Sequence, residues 1–248
     1  MLIAFVGDVH GRMFHAIAAL VALQERMAAR FDLIVQVGDL GFPDPARGDE
    51  MSKRYLEVDP AEADLGRFLR ADGRRADALR RVRERLGKPV HFVRGNHEDF
   101  AWLAGLPVDP ATGTAPTDPL DLLHYVPDGT VLDIDGYRIA FLGGVEELPG
   151  EPAIDMRAYE SLINEAPRSI DLLVTHEGPY GSGKRFGGEV AGSRGRLSYR
   201  ACWTGSSRAF TSSATCTSLS ARETSGARPT WASTDSSRRR SGTRRRAA

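Results

Sequence analysis

The sequence predicts an α/β fold. Three observations predict it. Short continuous apolar runs end at loops that carry metal-ligand side chains. The first two runs flank an amphipathic helical stretch. An alternating hairpin pattern stands between the third run and the last. A β-α-β start favours a parallel pair with a right-handed crossover. In such folds the loops at the carboxyl ends of the strands build the sites.

Leu2-Ile3-Ala4-Phe5-Val6 is apolar throughout and stops at Gly7-Asp8, as a strand buried on both faces does. Residues 14–29 carry a helical period, with Ile17, Leu20, Val21 and Met27 near one face and Gln24, Glu25 and Arg26 opposite. Leu33-Ile34-Val35-Gln36-Val37 is the second buried strand and stops at Gly38-Asp39. Residues 41–60 have no period and hold Pro43, Pro45 and Pro60, so they read as a loop beside the site. Arg47, Lys53, Arg54 and Tyr55 in that loop would shape access. Residues 74–86 form an amphipathic helix ended by Gly87 and Pro89.

Val90-His91-Phe92-Val93 is the third strand and ends at Arg94-Gly95-Asn96-His97-Glu98. Residues 106–119 are rich in Pro, Thr and Asp and read as a loop. Residues 130–134 and 137–142 alternate around Asp135-Gly136, a strong signature of a tight hairpin. Residues 156–166 look helical, and Ile170-Asp171-Leu172-Leu173-Val174 delivers His176.

The 248 residues, 41% of them hydrophobic, can bury a substantial core, and the net charge of +0 gives no global bias toward nucleic acid or membrane. That balance hides an asymmetry. Residues 193–248 hold 12 arginines, no lysine and 2 acidic residues, a net of +10, which leaves −10 for residues 1–192. An acidic body suits a site that binds cations. Cys202 and Cys216 imply neither a disulfide framework nor a zinc pair. No secretory signal or membrane-length apolar run stands out, so a cytoplasmic protein is expected.

Four short pieces carry ligand chemistry: Asp8-Val9-His10, Gly38-Asp39, Gly95-Asn96-His97-Glu98 and Thr175-His176. Alternate residues of extended backbone share a face, so Asp8 and His10 can offer one ion a hard oxygen and an imidazole. The two oxygens of Asp39 can bridge two ions. Asn96 offers a neutral oxygen, and His97 with Glu98 forms a pair of the acid/base kind. Each piece alone has a plain reading: a capping Asp, a turn Asp, a turn Asn, a core His. Together, each at a strand end, they outweigh those readings, and mixed N/O ligation suits Mn, Fe, Zn or Co without choosing among them.

In these pieces the chain resembles the calcineurin-like metallophosphoesterases, whose pattern runs D-x-H, G-D, G-N-H-D/E, a lone His and finally G-H-x-H. The resemblance covers residues 1–177 and implies a four-layer α/β/β/α sandwich of two mixed sheets. It also implies hydrolysis of phosphate monoesters or diesters at a binuclear centre. Asp8 and His10 would hold one divalent ion, Asp39 would bridge, and Asn96 and His176 would hold the second. Two such ions clamp an in-line displacement and acidify the attacking water. His97 would assist the leaving group, with Glu98 orienting it. Residues 93–98 look like the corresponding segment of Ser/Thr protein phosphatases, which makes Arg94, and after it Arg12, candidates to contact phosphate. The implied substrate is small and phosphorylated or nucleotide-like.

The chain departs from the pattern twice. Asp39 is followed by Leu40-Gly41-Phe42-Pro43, where many members continue with a further Asp. The histidines stand at 10, 15, 91, 97, 124 and 176, so G-H-x-H has no counterpart. Residues 1–192 read as the metallophosphoesterase domain. Residues 193–248 read as a basic Ser/Arg-rich tail that is disordered or derived from a frameshift near residues 194–200. The segment from Gly178 to Arg185 nearly spells a phosphate-binding loop. Arg185, however, stands where Ser or Thr would hold magnesium, so it reads as a site-flanking loop. Two other readings stay open: a catalytically impaired chain, and a non-enzymatic scaffold of the same fold.

Overall fold

The computed structural model describes residues 1–44, 54, 56–145 and 154–178, and the backbone of 220–223. Strand β1 (Leu2–Val6) leads into helix α1 (Met13–Met27) and strand β2 (Leu33–Gln36). After a 3-10 turn at Pro60–Ala63 come α2 (Asp64–Leu69), α3 (Gly73–Leu86), β3 (Val90–Phe92) and α4 (Phe100–Ala104). Then follow β4 (Ala115–Pro116), β5 (Leu123–Tyr125), β6 (Val131–Ile134), β7 (Tyr137–Leu142), α5 (Met156–Ile163), β8 (Leu172–Thr175) and β9 (Ser220–Glu223).

The strands form two mixed sheets. One has the order β4-β5-β3-β2-β1-β9, parallel at its centre and antiparallel at both edges. The other has the order β6-β7-β8, with β7 antiparallel to β6 and parallel to β8.

Side-chain alternation along the strands sorts the core into layers. In β1, Leu2, Ala4 and Val6 join Ile17 and Leu20 of α1, Phe68 of α2 and Leu79 of α3 on the outer face of the first sheet. Ile3, Val35, Val37 and Val93 face Ile139, Phe141 and Val174 between the sheets. Ala140, Leu142 and Leu173 point the other way, against Ala158, Tyr159 and Leu162 of α5. Helix, sheet, sheet, helix is therefore the order of layers. Fully buried side chains such as Phe92 and Phe141 each contribute roughly 1.5–3 kcal/mol by leaving water.

The stops have local causes. Helix α3 ends on Gly87, left-handed at φ 76, which donates back to Arg83 O. Asp155 caps α5 by accepting from Arg157 N and Ala158 N, and Asp99 caps α4 through Trp102 N. Asp135 and Gly136, at φ 53 and 78, make the tight β6–β7 turn that their sequence signals.

Several expectations need correction. Gln24 lies on the buried side of α1, because its amide accepts from Phe31 N and donates to Arg85 O, satisfying buried backbone. Met27 is 40% exposed, since the helix ends there before the face can be covered. Residues 106–119 are not loop throughout, because Ala115 and Pro116 pair with β5. Strand β5 and helices α2 and α4 escaped the sequence reading because each is too short to show a period. Residues 41–60 are not loop throughout, because residues 54 and 56–58 are helical; residues 45–53 and 55 lie outside the described residues, as do residues 179–219 and 224–248, including most of the near-P-loop segment. Within the basic tail, Ser220–Glu223 pairs antiparallel with β1. No helix among the described residues is long and apolar enough to cross a membrane.

Candidate metal centre

Four loops meet at the carboxyl ends of β1, β2, β3 and β8, as the parallel arrangement of β1–β3 requires. Backbone bonds lock the first two together: Val9 N and His10 N donate to Asp39 O at 3.2 and 3.0 Å, and Gly11 N donates to Leu40 O at 2.7 Å. Gln36, fully buried in β2, adds a second tie. Its Oε1 accepts from Gly38 N at 3.1 Å, and its Nε2 donates to Gly7 O at 3.3 Å and to Gly38 O. Sequence reading missed this residue, although a lone amide inside an otherwise apolar strand is the visible signal.

Glu98 ties the second loop to the third. Its Oε1 accepts from Leu40 N at 2.9 Å and its Oε2 from Gly95 N at 2.8 Å, and the residue is 2% exposed. Burial first, and the Asp39 charge second, push its carboxyl well above the ordinary carboxylate range.

The backbone is strained where the ligands are presented. His10 and Asp39 both adopt left-handed conformations, at φ 44 and 57, each costing of the order of 1–3 kcal/mol. Two glycines allow the loops to touch. A Cβ on Gly38, at φ 99, would lie 2.5 Å from His176 Nδ1, and one on Gly95 would lie 2.2 Å from Asp39 Oδ1.

Asp39 is the pivot. Its Oδ1 accepts from Asn96 N at 2.9 Å and His97 N at 3.0 Å, and stands 3.6 Å from His176 Nε2. Its Oδ2 faces His10 Nε2 at 3.9 Å. His176 Nδ1 lies 2.8 Å from Val37 O. A carbonyl can only accept, so Nδ1 carries the proton and donates, and in the neutral ring Nε2 bears a lone pair. Nε2 stands 3.2 Å from Asn96 Oδ1. His176 Nε2, Asn96 Oδ1 and Asp39 Oδ1 thus converge, a set of nitrogen and oxygen donors that suits a divalent cation.

Asp8 supports the same conclusion. Its Oδ1 is buried and has no hydrogen-bond donor among the described residues. Burial, reinforced by the Asp39 charge, pushes its carboxyl from 3.8 up to about 7. Orphaned buried carboxylate oxygen is expensive unless a cation or proton meets it. His10, Asp39 and His97 each place one ligand atom within 4.8 Å of the other two. The rings of His10 and His97 meet edge to face at 5.0 Å.

Residues 1–200 match the calcineurin-like phosphoesterase family. The chain belongs to that family. Metal-dependent hydrolysis of phosphate esters is the general chemistry of calcineurin-like phosphoesterases, and the donor set gathered here fits divalent cations. The chain is also similar to TT1561 of Thermus thermophilus, a crystal structure 16% identical that aligns over 85% of this chain and 80% of its own at a TM-score of 0.44. A second crystal structure is 15% identical over 85% of this chain and 82% of its own, at a TM-score of 0.48. No curated protein matches the chain.

The fold thus brings Asp8, His10, Asp39, Asn96, His97 and His176 to one place. Glu98 stands directly behind them, with both oxygens on backbone amides. Arg94 follows β3 but turns its Nε to Asp128 Oδ2 at 2.6 Å, with its guanidinium 5.9 Å from the Phe100 ring. Arg12 starts α1 and grips Asp59 with both terminal nitrogens, at 2.9 and 3.1 Å.

Proposed function

We propose that this phosphoesterase hydrolyses a phosphate monoester or diester on a small or nucleotide-like substrate, with two divalent cations that share Asp39. The observation that carries the reading is the division of the Asp39 carboxylate: one oxygen faces His176 and Asn96, the other faces His10. Asn96 and His176 would hold one ion, and Asp8 and His10 the other. Mn, Fe, Zn and Co all accept such donors. When bound, the cations would neutralise charge on the phosphate and lower the pKa of water.

This chain's own residues do the positioning. Asp39 is held by the amides of residues 96 and 97, so the third loop cannot drift from the second. The Val37 carbonyl fixes the His176 tautomer. Arg94 and Arg12, which rest on Asp128 and Asp59, are the cations proposed to contact substrate phosphate. The chain is proposed to act on a soluble substrate in the cytoplasm.

The test is turnover of p-nitrophenyl phosphate and its bis ester by the whole chain, with and without Mn(II), beside Asp39→Asn. Metal-dependent turnover that vanishes in the variant is expected. Turnover retained by Asp39→Asn would refute the shared-carboxylate reading. Mn(II) binding without turnover in the wild-type chain would favour the impaired reading, which the missing G-H-x-H element motivates.

A further inference from the structure

We infer that Gln36 is a positioning residue of the centre: its buried side-chain amide sets how the first and second loops present Asp8 and Asp39 to the ions. The inference rests on the binuclear reading above. Three observations carry it.

The first is where its bonds go. Gln36 Nε2 donates to Gly7 O at 3.3 Å and to Gly38 O, and its Oε1 accepts from Gly38 N at 3.1 Å. Gly7 O belongs to the peptide that enters Asp8, and Gly38 O to the peptide that enters Asp39. One amide therefore holds the peptide plane in front of each of two proposed ligands. Those partners also fix its orientation, because reversal would set its oxygen against two carbonyls.

The second is the gap it spans. Backbone bonding between the two chains runs from Val37 N to Val6 O and resumes where Val9 N and His10 N meet Asp39 O. Between those points the Gln36 side chain makes the connection. Gly38 and Asp39 follow each other there at φ 99 and 57. A non-glycine residue held at positive φ persists only where its surroundings over-determine it. Gln36 grips both the N–H and the C=O of the residue before Asp39, which is such a constraint.

The third is cost. Gln36 is fully buried in a strand whose other residues, Leu33, Ile34 and Val35, are apolar and buried as well. An aliphatic side chain would pack there without desolvating an amide, so the sheet alone does not require glutamine.

Gln24 supplies the comparison. It too is buried, and its amide too bonds backbone at both ends, accepting from Phe31 N at 2.9 Å and donating to Arg85 O at 3.0 Å. Neither partner leads into a proposed ligand.

Mn(II) titration of the whole chain, followed by EPR of the free ion well below the unfolding transition, compares Gln36→Met with Gln24→Met. Methionine keeps the length of the side chain and removes the amide. Both variants leave buried backbone groups unpaired, so both should lose roughly 2–12 °C in Tm. Gln36→Met alone should lose Mn(II) affinity, by at least tenfold.

Hydrogen exchange on the wild-type chain covers a Gln36→Met chain that does not fold. Coupling is reciprocal: if the Gln36 bonds favour metal, metal must favour those bonds. On loading Zn(II), exchange of the Gly38 amide should slow at least tenfold more than that of the Phe31 amide, which Gln24 holds. Wild-type affinity in Gln36→Met, an equal loss of affinity in the two variants, or equal slowing of the two amides would overturn this inference alone. A wild-type chain that binds no metal would overturn it together with the function on which it rests.

Discussion

Replacing Gly95 by alanine tests the candidate centre without changing any of its proposed ligands. Gly95 does not use the left-handed region, so alanine can adopt its backbone and the penalty is contact alone. The added methyl would lie 2.2 Å from Asp39 Oδ1, 2.6 Å from Asp39 N and 2.9 Å from His176 Cε1. One of those atoms is backbone and the other two belong to the side chains of Asp39 and His176, which are packed at the site, so none can yield cheaply. Overpacking of this kind costs roughly 1–3 kcal/mol. At this chain length that lowers Tm by roughly 2–12 °C. Because Asp39 and His176 are what must move, Mn(II) affinity should fall at least tenfold, or about 1.4 kcal/mol. Gly105→Ala is the control: its methyl meets only Ala101 O and Trp102 O, at an ordinary 3.5 Å, and should stay within about 0.5 kcal/mol of wild type. Thermal unfolding without metal and Mn(II) titration read the two effects separately. A Gly95→Ala chain as stable as the control and with wild-type affinity would show that the second, third and last loops do not pack as described.

Three further outcomes follow from the same geometry. A carboxyl raised to about 7, as in Asp8, contributes stability that is full below pH 4 and lost as pH rises through 7; the metal-free chain should therefore soften over that window. Added Mn(II) needs the ionised form and should stabilise more at pH 8 than at pH 5.5; a metal effect on Tm that ignores pH would remove Asp8 from the site. Asp128→Ala strips the carboxylate that holds both Arg94 and Gly143 N, and breaking this part-buried pair should cost more than the roughly 1 kcal/mol of an exposed pair and at most about 3–5 kcal/mol in denaturant unfolding; a loss below about 1 kcal/mol would mean the pair is exposed in solution. Arg12→Ala breaks an exposed pair worth at most about 1 kcal/mol, so stability should hold while KM rises; an unchanged KM would take Arg12 out of substrate binding.

The parts legible in the sequence were those with a short-range cause. The apolar runs ending at Gly7-Asp8, Gly38-Asp39 and Arg94-Gly95 announce buried strands because both faces of β1 and β2 are covered, one by helices and one by the second sheet, and because Val90 and Phe92 of β3 join the helical side while Val93 just after it joins the core between the sheets. Asp135-Gly136 announces its turn because two left-handed residues are needed there. Helices α2 and α4 announce nothing. A helix of five or six residues completes too few turns to display a face, and its position is set by packing on Phe14 and Leu79 or by a single cap.

The site divides along the same line. Residue types and their places at strand ends nominate Asp8, His10, Asp39, Asn96 and His176, because ligand chemistry is a property of the side chain. What each neighbour does for them depends on contacts 58 or 139 residues apart in the chain, such as Glu98 on Leu40 N and His176 on Val37 O. Glu98 shows the difference most plainly. Beside a histidine in sequence, a glutamate reads as its acid/base partner. Folded, its oxygens point back at two loop backbones, and its burial makes it a strut between them. Removing that strut should loosen Asp39 and Gly95 together. Glu98→Ala is therefore expected to cost metal affinity and stability in parallel, whereas a purely chemical role would cost turnover alone.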